Sequence, residues 1–188
     1  MGDQSLMEVI RKRRSVRAYL DMPVEDEKIK EIVEAARLAP STCNLQCWRF
    51  VVVKDRTVRD ELIEKGFGGL IVPNKWIRTA PVIIAVCAEP SLVVHRLGGR
   101  IQGVDYHLLD VGIATEHLVL RATELGLGTC WIGWFNERRV KKILKIPKGV
   151  KVVALLSLGY PDGEPGEPRE RLPLGAILFY DKYGAPRQ

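Results

Sequence analysis

A chain of 188 residues and 21.2 kDa is long enough for one domain with a single buried core. Its 46% hydrophobic and 28% charged residues exclude a disordered or fibrous design, and its longest apolar runs fall far short of the roughly 20 residues of a membrane-spanning helix. A net charge of +6 and a pI near 9.2 admit nucleic acid, an anionic membrane surface or an anionic small molecule, which only the placement of the basic residues can separate.

The N-terminus lacks the basic start and apolar block of a signal peptide, which predicts a cytoplasmic protein. Leu6, Met7, Val9 and Ile10 suit a short amphipathic helix, so Arg13, Arg14, Ser15 and Arg17 fall at or just past its end. A second helix begins with Glu25, Asp26 and Glu27 in its first turn, and Ile29, Ile32, Val33 and Ala36 mark its buried face. Pro40 stops it. Ser41, Thr42, Asn44 and Gln46 then form a polar segment too short for a helix of its own, whose hydroxyls and amides can grip a planar polar ligand.

Trp48 to Val53 reads as a strand, and Val58, Leu62 and Ile63 mark a short helix broken by Gly66, Gly68 and Gly69. Pro73 and Asn74 suggest a turn before a helical turn at Lys75 to Arg78, and Val82 to Val86 form the second strand. Residues 89 to 104 read as a loop with some mobility. Asp105 to Leu125 is the longest helical stretch, apolar almost all round and therefore central. Gly126 and Gly128 end it, and Thr129 to Ile132 form a strand before Gly133-Trp134-Phe135. These glycines do not make a dinucleotide fingerprint, because the spacing is not G-x-G-x-x-G and the order is helix then strand. A helix at Glu137 to Leu144 and a strand at Val152 to Leu158 follow. Gly159 to Pro168 suits an extended excursion over a surface, and Ala176 to Tyr180 reads as a last strand that could complete a sheet in another chain. Without repeats or linkers, residues 1–188 read as a single domain.

Cys43, Cys47, Cys87 and Cys130 are scattered and read as free thiols, and Cys43 and Cys47 lack the companions of a metal site. The basic residues cluster at 11 to 17, at 138 to 142 and at Arg169 and Arg171. None is interleaved with the aromatics of a nucleic-acid face, and 138 to 142 read as a solvated helix face. No Ser-His-Asp set, Cys-His pair, paired carboxylates or phosphate loop is present in order, which is compatible with chemistry carried by a cofactor. Asp110 reads as a hydrogen-bonded structural carboxylate and Trp48 as a core residue.

Four blocks, Arg13-Arg14-Ser15-Val16-Arg17, Ala39 to Phe50, Gly126 to Trp134 and Arg169-Glu170-Arg171-Leu172-Pro173, together resemble the FMN-dependent nitroreductase family over nearly the whole chain. The resemblance implies an α+β sandwich with a mixed, mainly antiparallel central sheet flanked by helices, a C-terminal strand exchanged between subunits, and a homodimer holding FMN at its interface. It implies that Arg13, Arg169 and Arg171, beside Arg14, bind the FMN phosphate, to which guanidinium groups bond bidentately, with Ser15 adding a hydroxyl. Arg17 would lie near the pyrimidine edge of the flavin, where a fixed cation favours the reduced form. Ser41, Asn44 and Gln46 would line the ring and ribityl chain, and Gly133 or Trp134 would present a backbone N–H near flavin N5.

The implied activity takes hydride from NADH or NADPH onto flavin N5 and reduces a small electron acceptor of the nitroaromatic or quinone type, with no nucleic-acid or membrane partner. A non-catalytic flavin carrier, a reductive dehalogenase and a flavin-fragmenting enzyme are the alternatives. The chain departs from the family pattern at Cys47, where Pro is usual, and at Trp134, where a second Gly is frequent; Asn74 and Lys75 align only loosely with the family's flavin contacts.

Overall fold

The computed structural model describes residues 5–67, 75–91, 99–163, 166 and 169–184. Helix α1, Leu6–Lys12, starts in a capping box, with the Ser5 hydroxyl accepting from Glu8 N and the Glu8 carboxylate accepting from Ser5 N. Helix α2, Asp26–Arg37, buries Ile29, Ile32 and Ala36, the face its periodicity predicts. Strand β1, Trp48–Val53, leads to α3, Arg56–Glu61, which Asp55 caps by accepting from Val58 N. The helical path does not break at once but widens into a π-type turn, Leu62–Gly66.

A 3₁₀ turn, Lys75–Thr79, precedes β2, Val82–Ala88. The stretch expected to be loop up to residue 104 contains a short helix, α4, Gly99–Gln102; residues 92–98, like Asn74, lie outside the described residues. Helix α5, Tyr106–Glu124, then runs nineteen residues to β3, Gly128–Ile132, followed by α6, Glu137–Ile143, and β4, Lys151–Gly159.

The strands lie in the order β1-β2-β4-β3, and every neighbouring pair is antiparallel. Among the described residues the parallel component expected of a mixed sheet is confined to an isolated bridge between Ser15 and Thr129. Strand β2 is buried at every position, which is why it reads as an unbroken apolar run. Its alternate residues face two cores. Val82, Ile84, Val86 and Ala88 pack with α2 and α5; Ile83, Ala85 and Cys87 pack with Leu62, Ile63 and Val140 of the α3 and α6 side. The result is helix, sheet, helix, an α+β sandwich.

Ala176 to Tyr180 is not a strand in this chain. Leu174–Ala176 forms a 3₁₀ turn, and Ile177 has φ −127° and ψ −8°, outside the extended region. An apolar run takes up strand geometry only where a neighbouring strand offers hydrogen bonds, and among the described residues this run has none. No helix among the described residues is long and apolar enough to cross a membrane.

Candidate functional site

The strap from Arg13 to Leu20 crosses one end of the sheet. Val16 N donates to Thr129 O at 2.9 Å, Leu20 N to Tyr160 O at 2.9 Å and Asp162 N to Ala18 O at 3.0 Å. Buried Tyr19 donates its hydroxyl to Val16 O at 2.8 Å and shares a 2.7 Å hydrogen bond with Ser157 Oγ of β4. Burial pushes that phenol well above its ordinary value, so it stays protonated at any cellular pH.

The crossing needs space. Gly128 and Gly159 pair directly across β3 and β4. A Cβ at Gly128 would stand 2.6 Å from Val16 Cγ2, and one at Gly159 would stand 2.6 Å from Pro81 Cδ and 2.9 Å from Tyr19 Cδ1. The two glycines form a notch in which the strap sits, a role their sequence position as helix and strand terminators conceals.

Outside the notch the arginines converge. Arg11, Arg13, Arg14, Arg17, Arg169 and Arg171 line a cavity of about 650 Å³ together with Ile10, Ser15 and Gly166, and the described lining residues include no carboxylate. Arg14 Nη1 donates to Arg13 O at 2.9 Å and to Arg11 O, while its buried Nε finds no acceptor among the described residues. Arg17 lies 5.9 Å from the Trp76 ring centre, a cation–π contact, and Arg171 Nη1 donates to Arg169 O at 3.4 Å. Glu116, half-buried on α5, feels the charge of Arg13, yet desolvation dominates and raises its carboxyl above the usual range. A concentration of guanidinium groups without counter-ions is an anion site, and an orphaned buried N–H asks for one more acceptor.

The polar segment after α2 is a different object. Thr42–Asn44 makes a single 3₁₀ turn, contrary to the expectation of no helix there. Cys43, Asn44 and Gln46 all have positive φ, at 50°, 54° and 46°, which is rare outside glycine. Internal bonds hold this conformation. Ser41 Oγ accepts from Gln46 N at 2.9 Å, and Gln46 Nε2 donates to Asn44 O and Oδ1, both at 3.1 Å. From beneath, the buried carboxylate of Asp110 on α5 accepts from Thr42 N at 2.9 Å and from Thr42 Oγ1 at 3.0 Å. Cys47 faces inward, with Sγ 3.8 Å from His107 O. Burial first and the Asp110 charge second push its thiol up to about 11.

Of the residues the sequence singles out, Arg13, Arg14, Ser15, Arg17, Arg169 and Arg171 come together in one cavity. Ser41, Asn44 and Gln46 are not among its lining residues, nor are Gly133 and Trp134, which follow β3 at the far end from the strap. Trp134 is 62% exposed. Sequence reasoning missed Arg11 as a wall of the cavity, although its i, i+3 relation to Arg14 was a usable signal. It also missed Tyr19, for which no local signal exists.

The model of the nitroreductase family matches residues 10–160. A putative NADH dehydrogenase/NAD(P)H nitroreductase of Archaeoglobus fulgidus is 37% identical over 165 residues, covering 86% of this chain and 88% of its own. An FMN reductase [NAD(P)H] of Bacillus subtilis is 30% identical over 182 residues, covering 90% of this chain and 71% of its own. The solved structure of an FMN-dependent nitroreductase of Clostridium difficile superposes with a TM-score of 0.76 at 28% identity, over 94% of this chain and 99% of that one. The order of the motifs, the helix-covered antiparallel sheet and these matches lead to one assignment: the chain belongs to the nitroreductase family.

Proposed function

We propose that this protein is an NAD(P)H-dependent FMN oxidoreductase that reduces an electron-poor acceptor of the nitroaromatic or quinone type. The observation that carries the reading is the cavity lined by six arginines, with no carboxylate among its described lining residues. It fits a phosphate dianion, because several guanidinium groups can bond its oxygens at once and none loses its charge at cellular pH. FMN, when bound, would supply a centre that accepts hydride from the nicotinamide and returns electrons to the acceptor.

The chain's own residues would do the rest. Arg13, Arg14, Arg169 and Arg171 would hold the phosphate, with the Ser15 hydroxyl beside them. Arg17, steadied by Trp76, would set a fixed positive charge where the reduced ring carries negative charge. The rigid turn of Ser41, Asn44 and Gln46 would line the ring and ribityl chain, and the backbone at Gly133 or Trp134 would donate near the reacting edge.

The last two groups stand apart from the arginine cavity, so the reading includes a homodimer in which two copies complete each site. Leu6, Met7 and Ile10 of α1 and Leu108, Leu109 and Ile113 of α5 are exposed apolar side chains that such a contact would cover. Among the described residues strand β1 pairs with β2 alone, leaving its other edge for residues 176–180 of a second copy. We take residues 1–188 as a single domain and the protein as cytoplasmic.

The test is direct. Protein purified with FMN should be yellow and should bleach when NADH or NADPH is added without oxygen, then recover its colour with a quinone. A colourless protein that takes up no FMN would sink the reading. Retained flavin that neither nicotinamide bleaches would instead favour a flavin carrier, and bleaching without turnover of nitro or quinone acceptors would favour another flavin chemistry, such as dehalogenation or flavin fragmentation.

A further inference from the structure

A second basic cleft, of about 510 Å³, lies between the segment Tyr19 to Val24, the start of α3 and the turn Lys75–Thr79. It shares no lining residue with the arginine cavity. Four cationic side chains reach it, and two are already neutralised: Lys54 pairs with Asp26, and Arg56 lies 3.8 Å from Asp60. Arg59 and Arg78 remain. Arg59 Nη1 donates to Pro81 O at 2.7 Å, but its Nε is buried and has no acceptor among the described residues. Arg78 is exposed and has no hydrogen bond or ion pair among them. Asp21 is the one carboxylate among the described lining residues, and it forms no ion pair within that set.

A buried guanidinium N–H without a partner is a debt that native structures rarely leave open. Two guanidinium groups facing one cleft suit a planar or tetrahedral oxyanion, which each can bond through a fork of N–H groups. The lining also includes the apolar residues Met22, Pro23, Val24 and Pro81. The volume lies in the range of sites for small organic ligands.

We propose that this cleft is a second ligand site, specific for a small organic anion: an apolar body bearing a phosphate ester or carboxylate, held by Arg59 and Arg78. The site is linked to the first one through the turn that separates them. Trp76 on that turn makes the cation–π contact with Arg17, while Arg78 and Thr79 two and three residues on face the cleft. An anion that orders the turn therefore also steadies Arg17, and by reciprocity ligand in one cavity raises affinity in the other.

The experiment uses the full chain saturated with FMN, titrated with phenyl phosphate and, separately, benzoate by calorimetry at fixed ionic strength. The expected result is one saturable site per chain for at least one of the two. Its affinity should fall at least tenfold in Arg78→Ala, rise in Asp21→Asn and stay unchanged in Arg171→Ala. Arg78 is exposed, so its truncation leaves the core intact. No saturable binding at millimolar concentration overturns the proposal, as does equal binding of neutral benzyl alcohol. Loss of binding in Arg171→Ala with retention in Arg78→Ala also overturns it, since the anion would then sit in the arginine cavity. The same variants compared on FMN-free protein separate the two cavities: Arg78→Ala should remove the cleft site there too, whereas Arg171→Ala should remove only anion binding in the arginine cavity.

Discussion

Replacing Gly128 with alanine would set a methyl group 2.6 Å from Val16 Cγ2, 2.8 Å from its Cβ and 2.9 Å from its Cγ1. All three atoms lie inside contact distance, and a β-branched side chain cannot rotate one away without turning another in. Relief must come from the backbone, either by lifting the strap off the notch or by opening the end of β3. Overpacking of this kind costs about 1–3 kcal/mol, which for a chain of this size lowers the melting temperature by roughly 2–4 °C per kcal/mol. Lifting the strap also moves Arg13 to Arg17, so FMN affinity should fall about tenfold or more, the equivalent of about 1.4 kcal/mol. Urea denaturation of FMN-free protein and quenching of flavin fluorescence measure the two effects separately. The decisive measurement is the double variant. Val16→Ala removes two of the three close atoms and leaves the Cβ contact, so the penalties of Gly128→Ala and Val16→Ala should fall short of additivity by about 1 kcal/mol or more. A Gly128→Ala protein as stable as the parent, or penalties that simply add, would refute the notch as the reason for glycine.

Arg171→Ala should weaken FMN binding by about 10-fold to 100-fold, the scale of a lost charge-assisted hydrogen bond, with far-UV circular dichroism unchanged; flavin retention on dialysis reads it. Asp110→Ala leaves Thr42 N–H and its hydroxyl without their acceptor and should cost about 2–3 kcal/mol in urea midpoint, with faster proteolysis between residues 41 and 46. Burial raises the Cys47 and Cys87 thiols from their ordinary 9.0 to about 11, so the folded state favours the neutral forms. Their contribution is complete below pH 9 and is lost as pH rises from about 9 to 11, and urea midpoints at pH 8 and pH 10.5 should show the decline. Exposed Cys43 should label with iodoacetamide in the native protein, whereas the other three thiols should wait for unfolding.

Most of the sandwich is legible because each element buries one face at its own period. The run Val82 to Ala88 announces a strand covered on both sides, and Ile29, Ile32 and Ala36 announce the inner face of α2. What is hidden depends on contacts made far along the chain. Gly128 and Gly159 look like punctuation, and only the register of β3 on β4 makes them a notch. Ala176 to Tyr180 has the composition of a strand but no neighbouring strand among the described residues, so composition misleads. Arg169 and Arg171 are some 150 residues from Arg13 in the chain, and nothing local says that they meet. Ser41, Asn44 and Gln46 offer free polar groups in the sequence, yet part of that capacity is taken up within the turn itself. Asp110, by contrast, could be read, since a carboxylate set among the apolar positions of a central helix must be hydrogen-bonded.

The three left-handed residues of that turn carry an evolutionary cost. Each non-glycine residue in this region forgoes about 1–3 kcal/mol that glycine would restore, and Gln46, unlike Asn44, has little intrinsic tolerance for it. Selection for stability alone would have put glycine there. Gln46→Gly should therefore raise the melting temperature while loosening the turn and weakening FMN retention, a trade of function against stability. If the turn holds FMN as proposed, it marks a place where improving the protein as a folded object would make it a poorer catalyst.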